Sequence, residues 1–292
     1  SKVWYSTAAF RISPESVLYQ AGGIDMHAML NVAIMAARRG GDTLIRNLNK
    51  LDKLKIEQKG RNDFVSDADL AAERAVIETI HKHYPDHAIQ AEESGSSGES
   101  DFVWIIDPLD GTTNYLHGFP VFCVSVALAN KGRIEHGVVY DPMRQEIFSA
   151  SRGQGAQLDG RKIRVSGLTD LSRALIGTGF PYRDSNEEMD PYIRMLVSAM
   201  KHTAGIRRPG AAALDLCYVA AGRLDAFWET GLMPWDLAAG SLIIREAGGI
   251  CSGLDGSEGY LDSGHILCGS PRIYSALARL FAPDVKAMFA AK

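Results

Sequence analysis

The sequence predicts a mixed α/β protein built around two sheets, and three observations carry that expectation. Strand-like segments between residues 102 and 150 follow one another through short turns, as antiparallel strands do. Beyond about residue 160 strands alternate with helical segments. Hydrophobic types make up 46% of the 292 residues, enough for a large core in one large domain or two smaller ones.

The elements follow in order. Residues 1–25 mix Trp4, Tyr5, Ser13-Pro14 and Gly22-Gly23 without a stable period and are read as an added or loosely held extension. Between Met29 and Leu48 the positions Leu30, Ala33, Ile34, Ala37, Leu44, Ile45 and Leu48 keep helical spacing. Ser66-x-x-Asp69 resembles a capping box with Asp in the Glu/Gln place, and the helix it opens runs from Leu70 to Tyr84 and stops at Pro85. Ala88–Ala91 is a short apolar strand. Phe102–Ile106 is a buried strand after a Gly/Ser-rich loop at 94–100. Val121–Ala129 and Ile134–Tyr140 pair through the turn Asn130-Lys131-Gly132, and Glu146–Ala150 continues the meander. Strand-like Ala174–Thr178 then precedes helices at Pro191–His202 and Ala211–Ala221. An apolar strand, Ala226–Trp228, leads to a helix Leu237–Glu246 ended by Gly248-Gly249. There is no internal repeat.

Bulk properties narrow the function. A net charge of -4 argues against a broad nucleic-acid-binding face. No stretch approaches the ~20 apolar residues of a spanning helix, and the N-terminus lacks a basic region followed by an apolar one, so neither a membrane protein nor a secretory signal is expected. Cys123, Cys217, Cys251 and Cys268 are scattered, without a C-x-x-C pair or zinc spacing; they read as buried reduced thiols of a cytoplasmic protein. His81, His83 and His87 flank a helix end and read as surface or capping residues. Gly153-x-Gly155 lacks a third glycine and a following helix, so no dinucleotide fingerprint is present.

The chemistry concentrates in acids. Asp107-Pro108-Leu109-Asp110-Gly111-Thr112-Thr113 directly follows the apolar strand 102–106, so two carboxylates leave the end of a buried strand into a glycine turn. Pro108 fixes φ and removes a donor, and Gly111 permits a conformation or close approach that a Cβ would block. Thr112 and Thr113 add hydroxyls and, if a helix follows, backbone amides for an anion. Close like charges are tolerated when one is protonated or a cation lies between them. Glu92-Glu93-Ser94 at the end of strand 88–91, and Asp236 after Pro234-Trp235, are further acids at element ends. Each taken singly has an ordinary structural reading, Asp236 as a helix N-cap for example. A carboxylate cluster poor in histidine suits a hard ion such as Mg²⁺.

Glu92-Glu93-Ser94, Trp104–Asn114 and Trp235–Gly240 resemble the three signature segments of the inositol monophosphatase family, over about Met26 to Phe281. The resemblance implies a layered αβαβα sandwich. Its N-terminal α+β half (26–165) would carry the antiparallel sheet and metal-binding motifs, and its C-terminal α/β half (166–292) would complete the site. It implies two or three Mg²⁺ ions, with Mn²⁺ as a substitute and Li⁺ as an inhibitor. Glu92, Asp107, Asp110 and the Leu109 carbonyl would bind metal, and Asp236 would complete the second site and face substrate. Thr112 would hold the attacking water, Asp69 would support it, and the amides of Gly111 and Thr112 would receive the phosphate. Glu229 would accept substrate hydroxyls, and Gly210, Ala211 and Ala212 would line the sugar pocket. Lys59 and Asp63 match nearby family positions. Ala211 stands where some inositol-processing relatives carry threonine, and the loop from Glu93 to Phe102 is short; both bear on the substrate. The activity implied is hydrolysis of a small phosphate monoester, inositol 1-phosphate first, without a phospho-enzyme, by a homodimer.

Three alternatives stand beside this. A haloacid-dehalogenase-type phosphatase spaces its acids two apart, whereas Asp107 and Asp110 are three apart. Within the family, 3′-phosphoadenosine 5′-phosphate, fructose bisphosphate or histidinol phosphate are other substrates. A transcription-associated factor retaining the fold is the third, with Arg161, Lys162, Arg164, Arg207 and Arg208 as a contact surface for RNA or protein.

Overall fold

The computed structural model describes residues 24–48, 51, 56–60, 63–180 and 186–290, with side chains at 28–48, 51, 65–180 and 189–289. Residues 1–23 of the expected extension lie outside the described residues; Ile24 and Asp25 already belong to the first helix, α1 (Ile24–Leu48). A hairpin that the sequence did not announce follows, β1 (Ile56–Gly60) with β2 (Asp63–Ser66). Lys59 and Asp63 fall on it, at positions whose side chains lie outside the described residues. Ser66 then caps α2 (Asp67–His83): its N–H donates to Asp69 Oδ2 at 2.9 Å and its Oγ accepts from the Ala68 N–H at 3.2 Å, the capping box expected.

The next strands are β3 (Ala88–Ala91), β4 (Gly95–Ser97) and β5 (Phe102–Asp110). After the short helix α3 (Thr112–Leu116) come β6 (Cys123–Asn130), β7 (Arg133–Asp141), β8 (Glu146–Ser151), β9 (Gly155–Leu158) and β10 (Arg161–Lys162). They form one sheet in the order β10-β9-β8-β7-β6-β5-β3-β4, antiparallel except between β3 and β5. The β6–β7 turn has positive φ at both Lys131 (50°) and Gly132 (77°), the backbone that matches the twist of a two-residue hairpin.

A second sheet is assembled from β11 (Leu175–Thr178), β12 (Gly205–Arg207), β13 (Ala226–Glu229), β14 (Ile250–Ser252) and β15 (Ile266–Gly269), in the order β12-β11-β13-β15-β14. Its helices are α4 (Asn186–His202), α5 (Ala212–Ala220), α6 (Pro234–Glu246), α7 (Tyr260–Ser263) and α8 (Pro271–Ala290). The terminal helix α8 goes unpredicted above, although Ile273, Leu277, Phe281, Val285 and Met288 keep helical spacing and are all buried.

Three cores separate five layers. Side chains of α1 and α2 pack on the outer face of the large sheet around Trp104, Val124 and Val138. Helices α5 and α6 fill the space between the sheets, and α4 with α8 covers the far face of the small one around Tyr192, Trp228 and Phe281. This is the layered αβαβα arrangement that the resemblance implied.

Helix α6 seats against β7 where Gly137 has no side chain. A Cβ there would lie 2.7 Å from the Ala239 carbonyl oxygen and 2.9 Å from its Cα. Both are helix backbone and cannot rotate away. Gly137→Ala is therefore expected to push α6 off the sheet and to lower stability by about 1–3 kcal/mol, the usual range for overpacking. A urea denaturation curve reads this, and a midpoint equal to the parent's would show the helix free to move.

Candidate active site

The carboxylates meet where the two sheets open toward each other. The strand predicted over 102–106 runs on to Asp110, and its register against β6 shifts between Asp107↔Ser125 and Asp110↔Cys123. Pro108 has no N–H to give to a ladder, so pairing slips there. Asp107 and Asp110 are thereby held on a strand end rather than a loose turn. Asp107 Oδ1 accepts the Leu109 N–H at 2.9 Å, and Asp110 Oδ2 accepts the Ala213 N–H from the first turn of α5 at 2.7 Å. The Cys123 thiol donates to Asp110 from beneath at 3.6 Å.

Asp236 comes from the other side. It is the third residue of α6, not the N-cap: Met233 holds that position, and Asp236 Oδ2 reaches back to its N–H at 2.8 Å. Pro234 starts the helix because its fixed φ and missing N–H suit a first-turn position, and this carries Asp236 one turn inward. One oxygen from each of Asp107, Asp110 and Asp236 lies within 4.8 Å of the others, and all three residues are buried. Glu92, just past β3, makes its own contact with the Asp107 carboxyl.

These groups disturb one another strongly. Burial, followed by Glu92, Asp110 and Asp236, drives the Asp107 carboxyl well above the usual range. Burial and then Asp236 push Asp110 to about 7, against the opposing Ala213 N–H. A cluster of hard oxygen donors that repel one another in a shielded site is what a divalent cation relieves, so the residues present fit Mg²⁺.

They line a cavity of about 440 Å³ with Leu109, Gly111, Thr112, Gly210, Ala212 and Glu229. Gly111 adopts φ 93°, and a Cβ on it would meet the Val121 carbonyl oxygen at 2.9 Å; the turn into α3 needs glycine. The Thr112 hydroxyl has one proton and two acceptors, Asp69 Oδ1 at 3.2 Å and the Leu109 carbonyl at 3.0 Å. Asp69 lies behind the cavity wall, fully buried and pushed up by burial against its Ser66 hydrogen bonds. Ala211 is also beneath the surface, as the residue before α5, while Gly210 and Ala212 beside it face the cavity. Asn114 ties this loop to α3 by donating to the Pro209 and Val121 carbonyls at 2.9 and 2.8 Å.

Several lining residues were not foreseen. Asp215 on α5 is 1% exposed and pushed well up by burial and then by Glu229 and Asp110, with Arg208 opposing. Its signal was a lone acid in the otherwise apolar run Ala211–Ala221. Thr178, Gly179 and Phe180 leave β11 toward the cavity. Arg208 stands over the Phe180 ring at 5.2 Å and lines the cavity, whereas Arg161 and Lys162 lie exposed on edge strand β10. His87 is an aromatic-cluster residue: its Nδ1 accepts the Trp104 indole N–H at 3.0 Å and its ring stacks on Tyr84 and Phe102. The amides of Gly153 and Gly155 both donate to Glu246 at 2.8 Å, clamping the end of α6.

Fold and acid cluster together define a class, and sequence comparison agrees: residues 25–287 match the profile of the inositol monophosphatase family, and the chain belongs to that family. It is 51% identical over 265 residues to the Nus factor SuhB of Pseudomonas aeruginosa, which spans 89% of this chain and 98% of that protein. Among solved structures, the extragenic suppressor protein suhB of Bartonella henselae superposes with a TM-score of 0.84 at 41% identity, covering 87% of this chain and 98% of that one. The inositol monophosphatase of Anabaena superposes with a TM-score of 0.78 at 37% identity, covering 89% and 97%. Among the described residues no helix is long and apolar enough to cross a membrane.

Proposed function

We propose that this chain is a Mg²⁺-dependent phosphomonoesterase acting on inositol 1-phosphate. The observation that carries the proposal is the buried triad Asp107, Asp110 and Asp236 with Glu92 against it, at the floor of a cavity that also holds Glu229. Glu92, Asp107, Asp110, Asp236 and the Leu109 carbonyl would hold the ions. When bound, Mg²⁺ supplies Lewis-acid chemistry, acidifying water, neutralising phosphate and stabilising a leaving alkoxide.

The chain's own groups do the rest. The single proton of the Thr112 hydroxyl is directed to Asp69 or Leu109, so toward the cavity that oxygen is an acceptor and can orient a water for attack. Gly111, Thr112 and Thr113 at the opening of α3 line the same space, and their amides would suit phosphate oxygens. Glu229 accepts hydrogen bonds from hydroxyls of the leaving group. Displacement is in line with no phospho-enzyme; a phosphorylated aspartate trapped during turnover would refute that. Inhibition by millimolar Li⁺, use of Mn²⁺ in place of Mg²⁺, a homodimer and a cytoplasmic setting belong to the same proposal, the last supported by four buried free thiols. A division into halves near residue 165 does too, since the large sheet ends at Lys162 and the small one begins at Leu175.

Glu229 has room only because residue 179 is glycine: a Cβ there would overlap the Glu229 carboxylate. Gly179→Ala is expected to lower kcat/KM for inositol 1-phosphate about 10- to 100-fold, the worth of one charged hydrogen bond. Turnover of p-nitrophenyl phosphate, which has no hydroxyls to read, should stay near the parent's. Equal losses on both esters would place Glu229 outside substrate recognition.

The function itself is tested by phosphate release with Mg²⁺ from inositol 1-phosphate, 2′-AMP, glycerol 2-phosphate, fructose 1,6-bisphosphate, histidinol phosphate and 3′-phosphoadenosine 5′-phosphate. Preference for inositol 1-phosphate supports the reading, and preference for another ester reassigns the substrate. Folded, metal-loaded protein inactive on all of them would favour a regulatory role in transcription, the second reading. That reading is supported by the name Nus factor borne by relatives at about half identity, and salt-dependent RNA binding or co-purification with polymerase would test it.

A further inference from the structure

Helix α2 contributes a second buried acid, one turn beyond Asp69. Glu73 is 3% exposed. Its Oε2 accepts the Glu93 N–H at 2.9 Å and its Oε1 the Ser94 N–H at 2.9 Å. Among the described residues it makes no ion pair, so a carboxylate is kept out of water with two backbone amides donating to it. Burying such a charge is costly, and a leucine or methionine would fill the same space without that cost. What the charge gains is control of one short stretch of main chain, because charge-assisted hydrogen bonds are strong and directional.

That stretch is the one after Glu92. The Glu92 N–H donates to the Ile106 carbonyl at 3.1 Å, on the residue preceding Asp107. The two amides that follow are fixed by Glu73. Glu92 is thus pinned on both sides of its own Cα, and only its side-chain torsions remain to bring the carboxylate to Asp107. Asp69 and Glu73 are four residues apart on one helix and so share a face. The first steadies the Thr112 hydroxyl, the second the Glu92 backbone. One rigid turn of helix therefore sets the spacing between two groups of the cavity that arrive on different segments.

We propose that Glu73 is a positioning residue of the metal site, holding the Glu92 carboxylate at Asp107 by clamping the Glu93 and Ser94 amides. This rests on the reading of Glu92 as a metal ligand. In Glu73→Gln the carboxamide oxygen can accept one amide, while its NH₂ is turned against the other. Mn²⁺ affinity, read by calorimetry or by the loss of the free-ion EPR signal, is expected to weaken about 10- to 100-fold, the usual penalty for losing a group that orients a ligand. The kcat should fall in step and the ester KM stay close to the parent's. The melting temperature of the metal-free protein reports folding separately. A folded Glu73→Gln that binds Mn²⁺ as tightly as the parent overturns the proposal. If that variant does not fold, Glu73→Asp, which keeps the charge but is too short to reach both amides, is judged by the same readout. A parent that binds Mn²⁺ yet hydrolyses no ester would sink the phosphatase reading and leave this one standing. A parent that binds no Mn²⁺ would end both.

Discussion

Asp236→Asn is expected to lower Mg²⁺-dependent phosphate release by roughly 10³-fold or more while raising the melting temperature of the metal-free protein. The two effects have one origin. Asparagine keeps an oxygen for the Met233 N–H, so the start of α6 should survive. The lost feature is negative charge, on one of three carboxylates whose oxygens lie within 4.8 Å of each other. For catalysis that weakens a contribution of several kcal/mol, and each 1.4 kcal/mol is about tenfold in rate. For the metal-free fold it removes a repulsion, since Asp236 is among the causes that lift both Asp107 and Asp110. Relief of about 1 kcal/mol corresponds to about 1.5–2 °C in a chain of this size. Malachite-green phosphate assays and thermal melts in chelator check the pair. Activity within tenfold of the parent would remove Asp236 from the machinery, and a fall in melting temperature would mean that its role at the helix start outweighs the repulsion.

The second large effect is on pH. In the metal-free protein Asp110 titrates near 7, against an ordinary carboxylate value of 3.8. Between those limits the folded state holds a proton that the unfolded state has released, so stability falls as pH rises through that window. At about 1.4 kcal/mol for each pKa unit, Asp110 alone makes a difference on the order of 4 kcal/mol, and Asp107 is raised as well. A bound divalent ion replaces those protons and cancels the repulsion. The gain in melting temperature on adding millimolar Mg²⁺ should therefore be small at about pH 5 and largest at about pH 8, with proton release on binding in between. A gain that does not change with pH would show that the ion binds elsewhere.

How much of this could be read in the sequence depends on what each residue answers to. The acids were legible because Asp-Pro-Leu-Asp-Gly and Pro-Trp-Asp place charges at element ends, where a core has no use for them. The Ser66–Asp69 box and the hairpin turn at Lys131-Gly132 were legible because their chemistry is local. That Asp236 is the third residue of its helix was less so: Met233 carries no capping oxygen, and only the fold shows Asp236 reaching back to it. Gly179 answers to Glu229, far along the chain, and no local pattern marks it; Asp215 and Arg208 stand out locally as charges, but only the fold shows that they line the cavity. Glu73 looked like any charged residue on a helix, because its partners are the backbone amides of a loop twenty residues later.

The bond from the Ala213 N–H to Asp110 spans 103 residues of sequence. Closing so long a loop is paid in chain entropy before any ligand set exists, and contacts of that kind form late and slowly. The cavity is complete only once strand β5 and helix α5, far apart along the chain, have met. Glu92, Asp107 and Asp110 come together within one sheet from residues 92–110, whereas Asp236 is added only when α6 docks. An ion held by all four acids would therefore tie α6 to the large sheet and favour the docked state over the open one.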